Sequence, residues 1–77
     1  MSRLKPQSWK TLECIFLLAG YKYVRQASSH RVYEKAGALR PIIIPSYDEI
    51  GLDIIQGLMR TAKLSRIEYE KLLDQCK

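Results

Sequence analysis

The sequence predicts an α+β fold, a three-stranded antiparallel sheet with helices on one face, in the order α-β-β-β-α-α. Three observations predict it. Leu12, Ile15, Phe16 and Ala19 recur at helical spacing near the start. Three short segments rich in aromatic and β-branched residues follow, separated by turn-like stretches, and the chain then returns twice to helical spacing. Seventy-seven residues make one domain, residues 1–77, with a small core. An apolar content of 47% with 27% charged residues belongs to a folded chain, not a disordered one.

Taken in order, Ser8 is placed to cap the first helix, with Lys10 and Glu13 off its apolar stripe and Gly20 placed to stop it. Tyr21 to Arg25 and His30 to Lys35 read as strands, with Gln26 to Ser29 as the hairpin loop between them. Lys35-Ala36-Gly37-Ala38 turns again into Arg40 to Ile44, whose three consecutive Ile predict a well-buried strand closed by Pro45. After a connector, Asp53 is placed to cap a helix carrying Ile54, Ile55, Leu58, Met59 and Ala62, with Gly57 inside it. Ser65-Arg66-Ile67-Glu68 has the form of a capping box, and Tyr69, Leu72, Leu73 and Cys76 give the last helix its apolar side. Strands joined by such short turns pair antiparallel.

The net charge of +5 is uneven. Up to Pro45 there are eight Lys or Arg against Glu13 and Glu34, a net of +6; from Ser46 on, five Lys or Arg face six Asp or Glu. The positive field therefore sits on the strand-rich half, where it either suits a polyanion or serves as a solvated face. Cys14 and Cys76 make no metal pattern, and with one His no metal or other cofactor is expected. Cys14 reads as a small buried group, and a disulfide to Cys76 is disfavoured without a secretory signal. Arg3 and Lys5 are followed by Pro6 and polar residues, not by a signal-peptide apolar stretch, and no run is long enough to span a membrane. A cytoplasmic location is expected.

His30, the single imidazole, stands just after the polar turn and is the candidate acid–base residue. With Gln26 to Ser29 as the loop, Arg25 is expected directly opposite it, its guanidinium placed to hold a phosphate. Arg25, Ser29, Arg31, Lys22 and Lys35 are the candidate phosphate-binding residues. Lys22, Lys35, Arg31 and Tyr33 are the candidates for a general acid, although Tyr33 reads better as a packed sheet residue. No carboxylate is placed to orient His30 against Ser28 or Ser29, and turn serines bond their own backbone, so a Ser-His hydrolase is not expected. Among the aromatics, Trp9 and Phe16 read as core and Tyr47 as the exposed one.

The ordered series Leu12…Leu18-Ala19-Gly20, Val24-Arg25-Gln26-x-Ser28-Ser29-His30-x-Val32-Tyr33, Ile42-Ile43-Ile44-Pro45, Leu58-Met59-Arg60-x-Ala62-x-Leu64-Ser65 and Tyr69 resembles the HicA (YcfA-like) family over residues 9–73. Members of that family are small ribonuclease toxins of bacterial toxin–antitoxin pairs. The resemblance implies cleavage of mRNA with His30 in the catalytic position, a HicB-type protein antitoxin as partner, and a likeness to the double-stranded-RNA-binding fold. The chain departs from the family pattern at three places. Ser28 replaces a usual Gly, which is costly if the position needs a positive φ. Tyr47 stands where many members carry a second His, and Asp53-Ile54 where a Gly-Thr pair is common.

Overall fold

The computed structural model describes residues 4–76. Arg3, part of the reading of the N-terminus above, lies outside them. The order is α1 (Trp9–Leu18), β1 (Lys22–Ala27), β2 (His30–Glu34), β3 (Ile42–Pro45), α2 (Leu52–Ala62) and α3 (Arg66–Gln75). The strands form one antiparallel sheet in sequence order, β1-β2-β3. The predicted class and element order are those observed.

Helix ends follow from local chemistry. Ser8 caps α1 by accepting a hydrogen bond from the Thr11 N–H. At the other end Gly20 takes φ +105°, its N–H donating to the Leu17 carbonyl while the Tyr21 N–H donates to Phe16. That paired closure needs a left-handed residue. It also stacks Tyr21 edge-on against Phe16, centroids 6.0 Å apart. The α2 N-cap is Gly51, not Asp53, which lies in the first turn. There its carboxylate still meets the positive end of the helix dipole. The Ser65 side chain accepts from the Glu68 N–H and the Glu68 carboxylate from the Ser65 N–H, a complete capping box. Those bonds to Ser65 hold the Glu68 carboxyl below its ordinary pKa.

The core lies between the helices and one sheet face. Leu12, Ile15 and Phe16 of α1, Ile55 and Leu58 of α2 and Tyr69 of α3 pack there with Tyr33, Ile42 and Ile44. The three consecutive Ile of β3 are not all buried: Ile42 and Ile44 are, but Ile43 is 48% exposed. Strand side chains alternate, and only one face is covered by helices. Val32 is 7% exposed yet stands apart from the core cluster, because it sits mid-sheet on the bare face. β1 is exposed along its whole length, as an edge strand.

The cysteines are a correction. Cys14 and Cys76 are joined by a disulfide between α1 and the end of α3. The 62-residue separation conceals the proximity, which arises because α1 and α3 pack side by side. Among the described residues no group of His, Cys, Asp or Glu could hold a metal ion. No helix among them is long and apolar enough to cross a membrane.

Candidate nucleic-acid interface

The β1–β2 hairpin is tighter than expected. Ala27 pairs with His30, leaving Ser28-Ser29 as a two-residue loop. Ser28 takes φ 58°, the left-handed value that a glycine would adopt at less cost. Of the two loop residues it alone has positive φ, the sign pattern of a II′ hairpin turn. The turn is tied down from both sides. Gln26 Nε2 donates to the Ser28 carbonyl at 2.9 Å, and the Ser46 N–H donates to the Ser29 carbonyl at 2.7 Å.

This register corrects one expectation directly. Arg25 pairs with Val32, not with His30. Arg25 is thus the diagonal neighbour of His30 on the same face, where such positions lie ~7–8 Å apart, still within an arginine's reach. Both are exposed. Among the described residues neither makes a side-chain hydrogen bond or ion pair. Pro45 is the partner of His30 on β3, and the chain runs on to Tyr47, 48% exposed as expected, at the same end of the sheet.

Alternation along β2 sorts the remaining candidates. His30, Val32 and Glu34 face away from the helices, while Arg31 and Tyr33 face toward them. Arg31 is therefore turned from His30 and engaged elsewhere. Its Nη2 lies 2.9 Å from Glu13 Oε2, its Nε donates to the Tyr33 hydroxyl at 3.0 Å, and its Nη1 donates to Gln26 Oε1 at 2.9 Å. The guanidinium is also stacked between two rings, 4.6 Å from the Trp9 centroid and 4.5 Å from that of Tyr23. Trp9 accordingly packs on this network at the rim of the core, whereas Phe16 is fully buried within it.

Tyr33 donates its hydroxyl proton to Glu13 Oε2 in a short hydrogen bond. Burial, reinforced by that bond, pushes its pKa up to about 12. The Tyr33 hydroxyl and Glu13 also hold the Arg31 guanidinium above its ordinary pKa. Arg31 and Tyr33 form a sheet-to-helix clamp on the covered side, and neither meets a proton acceptor beside His30. Glu13 was the missed member of this clamp. The available signal was its place one turn after Trp9, which puts both on one face of α1.

Lys22 and Lys35 lie toward the far end of the sheet. Lys22 pairs with Glu34, and Lys35 follows β2, about five residues or ~16 Å along the strand from His30. Lys35 stands over the Tyr21 ring at 5.7 Å and lines a cleft of about 630 Å³. Of the predicted residues the structure therefore brings His30, Ser29 and Arg25 together, with Lys22 further along the same face. Comparison with known proteins gives no match: no family model, no curated protein and no solved structure is similar to this chain.

Proposed function

We propose that the chain is a HicA-like endoribonuclease that cuts single-stranded mRNA without a metal, with His30 as its acid–base residue. What supports the reading is one observation: the single imidazole stands exposed on the helix-free sheet face, at the end of a tight hairpin, with the unpaired Arg25 diagonal to it. RNA supplies its own nucleophile. A ring nitrogen of neutral His30 takes the 2′-hydroxyl proton, and the 2′ oxygen bonds to phosphorus. The P–O5′ bond breaks, and the departing oxygen takes a proton from water. Arg25 would hold the phosphate oxygens as charge builds on them. The products are a 2′,3′-cyclic phosphate and a 5′-hydroxyl end. In this reading the protein works in the cytoplasm, and a HicB-type antitoxin inhibits it by covering His30.

A non-catalytic RNA-binding module on the same fold is the second reading. One observation favours it: no described side chain orients the His30 ring, and the proposed acids Arg31, Tyr33, Lys22 and Lys35 all stand elsewhere. Such a module needs cations for the backbone more than a proton shuttle. Induced expression of the parent chain beside His30→Ala, both checked for folding by circular dichroism, separates the two. Growth arrest and RNA cut to cyclic-phosphate ends by the parent alone are expected. If the parent leaves RNA intact but binds it, the ribonuclease reading fails and the binding module stands.

A further inference from the structure

A cleft of about 630 Å³ lies at the end of the sheet far from His30. It is lined by Lys35 and Arg40 from the β2–β3 connection and by Arg60 and Lys63 from the end of α2, with the buried Tyr21 as its floor. These are four of the thirteen Lys and Arg in the chain, and no Asp or Glu lines the cleft. None of the four is ion-paired to a described carboxylate. The one described carboxylate close enough to act on any of them, Glu68 on Lys35, lies outside the cleft lining and is bonded to Ser65. Holding like charges together with so little counter-charge opposes folding, so such a cluster points to an anionic ligand.

Lys63 adds an independent observation. It closes α2 at φ 54°, with its N–H on the Arg60 carbonyl and the Leu64 N–H on that of Met59. This helix-ending position is one that glycine fills at less cost. A lysine there costs the fold something and places an ammonium on the cleft wall. The cleft runs on past Lys35 and Lys63 into a smaller one of about 440 Å³, where Lys71 adds a cation and Glu68 is occupied with Ser65. A volume near 630 Å³ suits one or two nucleotide units.

We infer that this cleft binds the phosphodiester backbone of single-stranded RNA, as a second binding point remote from His30. The inference rests on the proposed RNA reading but not on cleavage. Arg40, Arg60, Lys35 and Lys63 would anchor the strand at one end of the sheet while its scissile bond lies at the other. Substrates too short to span the roughly 16 Å between them would then be poor ones.

The test is binding of a fluorescein-labelled 12-nucleotide RNA to the full chain, read by anisotropy across a salt series. His30→Ala serves as the background, so that nothing is cut. Arg40→Gln combined with Lys63→Gly in that background should weaken binding and lower the salt slope by about 1.4, at about 0.7 for each phosphate no longer neutralised. Lys63→Gly relieves a strained backbone, so the thermal midpoint should hold or rise, separating weaker affinity from impaired folding. Unchanged affinity and slope in the double variant would overturn the inference. So would displacement of none of the RNA by saturating AMP that itself fills the cleft, which would make the site one for free nucleotides. Failure of His30→Ala to abolish cleavage would instead strike the catalytic reading and leave this one standing.

Discussion

Opening the Cys14–Cys76 bond is expected to remove a large share of the stability of this domain. The bond closes a loop across a sequence separation of 62, so nearly the whole chain is cross-linked. In the chain-entropy account a loop of that length constrains the unfolded state by about 4 kcal/mol. A chain of this size has on the order of 4–12 kcal/mol in total. α3 keeps other holds when the bond is open, since Tyr69 is buried in the core and Leu72 and Leu73 pack against it. The reduced protein should therefore stay folded at room temperature but melt on the order of 15–30 °C lower. Thermal unfolding by circular dichroism, with and without a non-thiol reductant, measures the difference. Cys76→Ser should reproduce the reduced curve and become indifferent to reductant. A shift under about 3 °C, or two titratable thiols in the unreduced native protein, would refute the reasoning. The result bears on location too, because a reducing cytoplasm keeps such bonds open and the protein would work there on the smaller margin.

Two local perturbations follow from the same packing. Ser28→Gly should raise the urea midpoint, by up to about 1 kcal/mol in stability, because φ 58° costs a side-chain-bearing residue more than it costs glycine. A lowered midpoint would mean that the Ser28 side chain supports the turn. Tyr33→Phe should cost about 1–2 kcal/mol in denaturant unfolding, since Glu13 loses one of its donors but keeps Arg31. It should also change the alkaline limb. The folded pKa of Tyr33 lies above its unfolded value, so the folded state holds the proton longer, and its stabilising effect is lost as pH rises from about 10 to about 12. Without the hydroxyl, that part of the decline in stability should vanish; an identical decline in the variant would contradict the assignment.

The fold was legible where one residue type does one local thing. Ser8, Gly20 and the Ser65–Glu68 pair each announce a helix end through their own hydrogen bonds, and all three stand where the pattern put them. The site was legible only as far as the turn. That His30 begins β2 could be read, but which residue opposes it depends on whether the loop has two residues or four. Serine at a left-handed position gives no sign of a two-residue turn. Ile43 was misread because a run of three Ile does not tell how many faces of the sheet are covered. The Arg31 clamp, the disulfide and the cationic cleft all depend on segments far apart in sequence coming together. No spacing in the chain encodes those meetings.

The bulge in β1 ties these points together and yields the sharpest test of the site. Counting from the turn, Ala27, Gln26 and Arg25 oppose His30, Arg31 and Val32; Val24 is then passed over, and Tyr23 opposes Tyr33. Were Val24 instead paired in a regular ladder, Tyr23 would oppose Glu34 on the bare face and leave Arg31 with one stacking ring. The bulge thus puts Tyr23 on the face of Tyr33 and Arg31 and Lys22 on the face of Arg25 and His30. Deleting Val24 or deleting Gln26 should each give a regular ladder with Tyr23 still opposite Tyr33. They differ in what stands between. Without Val24, Arg25 keeps its place on the face of His30. Without Gln26, Arg25 is forced beside Arg31 under the helices and Val24 takes its place. If Arg25 holds the phosphate, RNA cleavage and binding should survive the first deletion and fall sharply in the second, with both proteins folded by circular dichroism. Equal activity in the two would remove Arg25 from the site and leave His30 to act with some other cation of the bare face, of which Lys22 is the nearest in sequence.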